Sequence, residues 1–223
     1  PAGSGRVLTV TFTPADPANY NTASASTTIN VLPVPLSVRA VDAVKVFGAP
    51  LPAFAATFFG FVNGDTIASL SGSLAFATTA TAGSPVGSYP IAVSGVGSSN
   101  YTITFVGGTL SIIPAATSVS VLSSPAPSGL NQPMTFTATI APVAPGAGAP
   151  TGSVQFFDGT TLLGTATLAS GTASLTTAGL PPGSHPIEAR YSGDPSFAGA
   201  SRTLTHVVND AASTPTVAIS SSA

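Results

Sequence analysis

The chain has no cysteine and very few charged residues, and each shortage excludes a class of function. Without cysteine it can form no disulfide, thiolate metal site or cysteine nucleophile. Charged residues make up 5% of the 223 residues, against about 25% in ordinary soluble domains. With 5 Lys and Arg residues and a net charge of −2, no basic patch can form, so the sequence predicts neither nucleic acid nor anionic membrane as a partner.

Long hydrophobic runs are also absent. No stretch approaches the ~18 consecutive apolar residues of a membrane span, so no membrane insertion is predicted for this fragment. The chain shows no signal peptide and opens within a module, so we expect secretion signals and anchors to lie outside it. Apolar residues still make up 43%, enough for packed cores, and the polar surfaces must then consist mainly of Ser, Thr, Asn and Gly.

One hairpin pattern occurs twice. Near the start the chain reads Phe12-Thr-Pro-Ala-Asp16-Pro17-Ala-Asn-Tyr20, followed by a Ser/Thr/Ala-rich strand ending at Val31. Near the end it reads Tyr191-Ser-Gly-Asp194-Pro195-Ser-Phe197, followed by a similar strand ending at Val208. In both, an aromatic residue closes one strand and Asp-Pro forms the turn. The recurrence indicates a slice of a repetitive array of β modules.

Three regions and a tail follow from the alternation of apolar and polar residues. Residues 1–34 hold two alternating strands, too few to bury a core, and are interpreted as the final hairpin of a truncated Ig-like module. Residues 35–114 form a second β module. Residues 115–209 contain seven strand candidates at near-regular spacing, which predicts an immunoglobulin-like sandwich. Residues 210–223 are interpreted as a linker and the start of a further module.

The second module leaves its layout open. One long strand is expected from Leu36 to Val44, and Gly107-Gly108 is the signal of a two-residue hairpin between the last two strands. Asn63-Gly64-Asp65 predicts a turn, with Asp65 as candidate N-cap of a single helical turn over residues 66–70. That turn admits a β-grasp-like layout as the alternative to a sandwich. The predicted class is therefore all-β, with tandem β-sandwich modules.

Two resemblances to known families rest on longer stretches of sequence. Residues 115–209 resemble bacterial Ig-like repeat domains through stretches such as Pro150-Thr-Gly-Ser-Val-Gln-Phe-Phe-Asp-Gly159 and Leu180-Pro-Pro-Gly-Ser-His185. Residues 36–114 resemble the MBG domain of the YGX type through Phe47-Gly-Ala-Pro50-Leu-Pro-Ala-Phe54, with Phe47 where that family usually has Tyr. These resemblances imply large, repetitive extracellular bacterial proteins and bring no catalytic residues to transfer.

The residues that could carry chemistry are isolated from one another. His185 and His206 fall on adjacent strands, but two ligands fall short of a zinc site, and we expect surface or hairpin-end positions for both. Asp16 and Asp194 precede proline and are expected to close Asx turns rather than bind calcium. The single lysine, Lys45, has no glutamate in its module, which argues against an internal Lys–Asn crosslink. No catalytic, cofactor or metal residue is predicted.

An ion pair and two aromatic residues complete the candidates. Glu188 and Arg190 lie two residues apart on one strand and predict an exposed ion pair. Phe58 and Phe59 are adjacent, so they face opposite sides of a strand. One ring packs under a covering segment or stays exposed, where it could stack on a sugar. They are the weak ligand candidates of the sequence.

The function predicted from the sequence is a non-catalytic spacer or stalk of tandem modules in a secreted or cell-surface bacterial protein. Its partners are then the neighbouring modules of the same chain. The first alternative is an adhesion module that binds carbohydrate or a host or matrix protein. The second alternative is an accessory region of a large extracellular hydrolase, whose catalytic domain would lie elsewhere. No enzyme activity and no cofactor are expected of this segment.

Overall fold

The computed structural model describes residues 1–210, and strands dominate this part of the chain. Residues 210–223 were predicted to form a linker and the start of a further module; except for residue 210, they lie outside the described residues. The strands are β1 Gly3–Phe12, β2 Ala23–Val31, β3 Val34–Ala40, β4 Ala43–Val46, β5 Ala56–Phe59, β6 Ser71–Ala77, β7 Gly87–Gly97, β8 Tyr101–Val106, β9 Gly108–Ile113, β10 Thr117–Ser124, β11 Ser128–Gly129, β12 Met134–Pro142, β13 Ser153–Asp158, β14 Thr161–Thr167, β15 Thr172–Thr177, β16 Gly183–Gly193 and β17 Ala198–Asn209.

The chain divides into two compact units that interleave along the sequence. The first contains Pro1–Val44, Pro52–Ala80 and Ser88–Ser111. The second contains Lys45–Leu51, Thr81–Gly87 and the chain from Ile112 onward. The module limits expected at residues 34/35 and 114/115 therefore remain predictions.

Strands β1 and β2 form a two-stranded antiparallel sheet. Their register places Phe12 opposite Ala23 and Val10 opposite Ala25 on one face, and Thr11 opposite Ser24 on the other. Nearly every residue of the hairpin is exposed, including Val10 at 69%. One apolar and one hydroxyl-bearing face is the pattern of a strand pair with one side in a core.

Residues 34–113 form two sheets, one of three strands in the order β5-β3-β8 and one of four in the order β4-β9-β7-β6. Buried side chains come from strands of both sheets: Leu36, Val38 and Ala40 of β3, Ile91 and Val93 of β7, and Leu110 and Ile112 of β9. The two-sheet layout and a helical content of one 3₁₀ turn among the described residues favour the sandwich over the β-grasp alternative.

Two local predictions for this region are wrong for the same reason, which is that the chain crosses from one sheet to the other at both places. Leu36 to Val44 does not form one strand, because the chain leaves the three-stranded sheet at Asp42, whose Oδ1 accepts the Thr109 N–H at 2.7 Å, and β4 joins the other sheet. Gly107-Gly108 is not a hairpin turn, because β8 pairs in parallel with β3 while β9 lies in the four-stranded sheet. A Cβ at Gly108 would lie 2.8 Å from the Ala40 carbonyl oxygen, which explains the glycine at this crossing.

The predicted helical turn is present but has a different cap. A 3₁₀ turn spans Ile67–Ser69, and Thr66 is its N-cap, with its Oγ1 accepting the Ala68 N–H at 3.3 Å. Ser69 Oγ accepts the Thr66 N–H in return, which completes a capping box. Asp65, the expected cap, accepts a hydrogen bond from the Tyr101 hydroxyl at 2.6 Å instead.

The region from residue 115 onward is the predicted immunoglobulin-like sandwich. All seven expected strands are present, in a three-stranded sheet β10-β12-β15 and a five-stranded sheet β11-β17-β16-β13-β14. The two-residue strand β11, which pairs in parallel with β17, was not predicted because it is too short to show alternation. The core takes the alternating apolar residues of both sheets, led by Phe136, Phe156, Ile187 and Tyr191.

Candidate functional site

The two phenylalanines proposed as ligand candidates lie on opposite faces of β5, as their adjacency requires. Phe58 is half-buried and stacks on Phe61 with ring centroids 5.6 Å apart, and Phe61 meets the Tyr101 ring edge-on. Phe59 is 63% exposed and lies opposite Ser37 on the outer side of the sheet. The structure therefore assigns Phe58 to packing and leaves Phe59 open to solvent.

Both histidines lie near the open end of the β16–β17 hairpin, but they are buried, so of the expected surface or hairpin-end positions the surface one is wrong. They lie directly opposite each other on β16 and β17, and His185 is 8% and His206 1% exposed. Alternation places His185 on the same face as Ile187 and Ala189, and His206 on the same face as Val208, so the strand pattern itself implied their burial. They point to different partners and do not form a shared site.

His185 has two acceptors on its two ring nitrogens. Its Nδ1 lies 2.7 Å from Asp158 Oδ2 and its Nε2 lies 2.8 Å from the Pro181 carbonyl oxygen. A ring that donates from both nitrogens is an imidazolium. Burial disfavours this charge, but the hydrogen bonds to Asp158 and Pro181 and the Asp158 charge outweigh it and raise the pKa of His185.

His206 has hydroxyl partners only. Its Nε2 lies 2.9 Å from Ser128 Oγ, its Nδ1 lies 3.1 Å from Ser123 Oγ, and its ring meets Phe136 edge-on. Ser123 belongs to the opposite sheet, so the imidazole links the two sheets through the core. Burial, followed by the positive charge at His185, lowers the pKa of His206. Because Ser128 is 1% exposed, this serine–histidine pair is closed to a substrate.

The two histidines should therefore titrate on opposite sides of the ordinary pKa of about 6.5. We expect His185 to titrate above that value and His206 below it. The variant Asp158→Asn should lower the His185 midpoint, since it removes the carboxylate partner. Histidine ring resonances followed by NMR between pH 4 and 9 will show this, and each is assigned by its loss in the corresponding His→Gln variant. A His185 midpoint below that of His206 would contradict the imidazolium assignment.

Lys45 is buried without a carboxylate. Its Nζ donates to the Ala49 and Ala82 carbonyl oxygens, each at 2.9 Å, and its side chain is enclosed in the second unit. Burial lowers the pKa of this amine. Its partners are main-chain acceptors, so the geometry gives it a structural role that ties residues 45–49 to residue 82.

The recurring aspartates close turns, as predicted. Asp16 Oδ1 accepts the Ala18 N–H at 3.1 Å, and Asp194 Oδ1 accepts the N–H groups of Ser196 and Phe197, each at 2.8 Å. Asp194 Oδ2 accepts both the N–H and the hydroxyl of Thr151. Burial opposes ionisation of Asp194, but these hydrogen bonds together lower its pKa. Oδ1 thus closes the turn, and Oδ2 ties the turn to Thr151.

The remaining candidates add no enclosed site among the described residues. Arg190 donates to Glu188 Oε2 at 2.7 Å on the protein surface, as predicted. Cavities of about 160 Å³ beside Asp65 and Tyr101 and about 240 Å³ beside Phe47 and Asp194 are below the ~300 Å³ of common small-molecule sites. A larger hollow of about 390 Å³ lies on the exposed hairpin between Leu8, Val10 and Ala25 and is open to solvent. In the described part of the chain, no three His, Asp or Glu side chains come together in an arrangement suited to a metal. Residues 1–210 also contain no helix that is long and apolar enough to span a bilayer.

Comparisons with known families agree with the predicted order of domains. Residues 36–111 match the family model of the MBG domain (YGX type), and residues 120–209 match that of the bacterial Ig-like domain (group 3). Together they confirm the two resemblances seen in the sequence. The N-terminal hairpin lies outside both matches, so its assignment to a truncated Ig-like module stays a prediction. No curated protein matches the chain.

Solved structures with some similarity are modular β proteins. The Escherichia coli adhesin FdeC is 16% identical with a TM-score of 0.34, covering 83% of this chain and 68% of that one. The Yersinia pseudotuberculosis adhesin InvE is 15% identical with a TM-score of 0.31, covering 77% and 58%. The fibronectin(III)-like modules of Clostridium thermocellum CbhA are 18% identical with a TM-score of 0.32, covering 41% and 96%. These scores are too low to support an argument about function.

Proposed function

The chain carries an MBG domain of the YGX type followed by a bacterial Ig-like domain of group 3, and on this premise we propose that it is a non-catalytic, load-bearing spacer of a large secreted or cell-surface bacterial protein. The families support an extracellular module of structural or adhesin type. The strand topology supports the role of bearing load along the chain.

The observation that carries the proposal is the parallel pairing of entering and leaving strands. In the Ig-like domain, Ala115 bridges Phe197 in parallel at the entry, and Ser128-Gly129 pairs in parallel with Val208-Asn209 at the exit. Tension pulls the entering segment and β17 in opposite directions along their length. Their hydrogen bonds are then loaded together in shear, whereas a pair pulled apart from one end would lose them one by one.

The contacts at the entry are well formed. Ala115 is fully buried, its N–H donates to the Ser196 carbonyl oxygen at 2.9 Å, and its own carbonyl oxygen accepts the Ala198 N–H at 2.8 Å. Thr117 Oγ1 donates to the Ala198 carbonyl oxygen at 2.8 Å. The chain that enters the domain is thus bonded to β17 from its first residues.

The MBG domain uses the same principle. Its first strand, β3, pairs in parallel with β8 from Val34 opposite Tyr101 to Arg39 opposite Val106. Force that enters at Val34 and leaves after β9 loads this pairing in shear as well. Both domains therefore resist extension through parallel strand pairs, which suits modules placed in series.

We call the hydrogen bonds of Ala115 with Ser196 and Ala198 the entry clamp. Weakening it should speed unfolding under force more than the accompanying loss of equilibrium stability predicts. Ala115→Pro removes a buried N–H bond worth ~1–3 kcal/mol, which should speed unfolding under load about tenfold. Ala198→Pro, at an exposed position, removes the partner bond and provides a second test. Force spectroscopy on a tandem of this chain measures the rate, because forced unfolding depends on the unfolding rate.

The matched control is Ile187→Val in the middle of β16. It leaves the clamp intact and costs ~0.5–1.5 kcal/mol of equilibrium stability. Equilibrium unfolding in urea places the variants on one scale of stability. The proposal fails if the proline variants unfold under force no faster than Ile187→Val at equal stability.

Adhesion is the second candidate function. It is favoured by one observation, the 63% exposure of the Phe59 ring on the outer face of a sheet, while the adjacent ring of Phe58 is packed on the other face. An aromatic ring open to solvent can stack on a ligand without any rearrangement of the sheet.

A further inference from the structure

The outer side of the three-stranded sheet β5-β3-β8 presents one exposed aromatic ring among hydroxyl groups. Cross-strand register places Ser37 between Phe59 and Thr104, and Arg39 between Thr57 and Val106. We call this surface the Phe59 face. It consists of Pro35, Ser37, Arg39, Thr57, Phe59, Thr102, Thr104 and Val106.

The Phe59 face carries a single, unneutralised positive charge. Arg39 is the only charged residue in β3, β5 and β8. It is exposed, and both ion pairs of the described residues lie elsewhere, at His185–Asp158 and Arg190–Glu188. In a chain with 5% charged residues, a free guanidinium beside an exposed ring is an uncommon combination. It complements a carboxylate, which arginine can bind through two parallel N–H bonds.

The ring and the guanidinium are held close together. Phe59 pairs with Ser37 and Arg39 with Thr57, so the two residues are diagonal neighbours across β3 and β5, about 7–8 Å apart at the backbone. Phe58 anchors the same strand through its stack on Phe61. Gly60, at φ 115°, then lets the chain turn away where a Cβ would lie 2.4 Å from the Pro35 carbonyl oxygen.

We propose that the Phe59 face binds an acidic polysaccharide. Phe59 stacks on the face of one sugar ring, Arg39 pairs with a sugar carboxylate, and the hydroxyls of Ser37 and Thr104 exchange hydrogen bonds with those of the sugar. The Thr57 hydroxyl, which donates to the Arg39 carbonyl oxygen at 3.5 Å, accepts one. The open face of a sheet accommodates an extended polymer rather than an enclosed small molecule. Hydroxyl neighbours favour a sugar over an acidic peptide, which would gain little from them. This proposal rests on the adhesion candidate and not on the mechanical one.

Sodium polygalacturonate is the probe, with dextran as its neutral counterpart. We expect the full chain to bind polygalacturonate in affinity electrophoresis and calorimetry and to bind dextran much more weakly. Phe59→Ala and Arg39→Gln should each weaken binding about fivefold or more, the effect of removing a central contact residue. The matched controls are Tyr20→Ala, which removes a ring that is 66% exposed on the hairpin, and Arg202→Gln, which removes an exposed charge on β17.

Three outcomes would overturn the proposal. The first is that the chain does not bind polygalacturonate. The second is that the control variants lose as much affinity for it as the test variants. The third is equally strong binding of polyglutamate, which would reduce the face to a nonspecific anion contact. Both test positions are exposed and should leave thermal unfolding unchanged, which the same samples verify. Failure here leaves the forced-unfolding result untouched, since that result is measured with Ala115→Pro and Ala198→Pro in the Ig-like domain, and Arg39 and Phe59 lie in the MBG domain.

Discussion

Replacing His206 with alanine should lower the free energy of unfolding of the second unit by about 3–5 kcal/mol. The substitution removes a large core side chain, which alone costs ~2–5 kcal/mol. It also leaves Ser128 Oγ, in a residue 1% exposed, with only the weak acceptor Met134 Sδ at 3.8 Å, and the lost imidazole hydrogen bond adds ~0.5–1.5 kcal/mol. Loss of the bond to Ser123 removes a link between the two sheets. Urea unfolding monitored by tyrosine fluorescence measures the change.

A double-mutant cycle separates the volume of the ring from its hydrogen bonds. Ser128→Ala in the wild-type background removes one partner, and the same change in the His206→Ala background should be nearly neutral, because the hydroxyl has already lost its acceptor or donor. The coupling expected for such neighbours is ~0.5–3 kcal/mol. Strictly additive effects would show that the serine–histidine contact contributes nothing beyond packing.

The same residue gives a pH dependence with a definite sign. The pKa of His206 is lower in the folded protein than in the unfolded chain, so the unfolded state binds the proton more readily. The stability due to neutral His206 is complete above the unfolded pKa of about 6.5 and is lost as the pH falls through the folded pKa. His185 has the opposite sign, because its folded pKa is raised. Its contribution is complete below about pH 6.5 and is lost as the pH rises through the folded value.

The burial of these two histidines follows from the alternation in their strands, whereas their hydrogen-bond partners, which come from distant parts of the chain, leave no such signal. The strands of residues 115–209 were predictable because alternating apolar residues, such as Phe136, Ala138 and Ile140, impose a period of two. Alternation also placed Phe58 and Phe59 on opposite faces. It could not say which ring is covered, since that depends on Phe61 packing against Tyr101, which comes from a distant strand.

Sheet assignment was less predictable than strand position. Strands β8 and β9 follow each other through two glycines, the local signature of a hairpin, yet they pair in different sheets. The parallel partner of β8, β3, lies more than 60 residues earlier in the chain. Such non-local pairing leaves no local sequence signal, which is why the clamp and the Phe59 face became visible only in the folded protein.

The Asp-Pro turn occurs twice, so the copy at Asp16 serves as the control for the copy at Asp194. Asp194→Ala should destabilise the second unit by about 2–4 kcal/mol, whereas Asp16→Ala should leave its stability unchanged. Asp194 accepts four hydrogen bonds, from the N–H groups of Thr151, Ser196 and Phe197 and from the Thr151 hydroxyl. Asp16 accepts from Ala18 and Asn19 on an exposed hairpin.

The difference between these two turns is therefore one of context rather than sequence. Asp194 ties the β16–β17 turn to Thr151, in the loop before β13, beside the buried rings of Tyr191 and Phe197, while Asp16 stabilises only its own turn. Urea unfolding of the two variants at pH 7 measures the contrast. A second readout is the Tyr191 hydroxyl, whose pKa is raised to about 12 by burial and then by the Asp194 charge. Asp194→Ala should lower that pKa in an ultraviolet titration, and equal stability losses in the two variants would show that the carboxylate does no more than close a local turn.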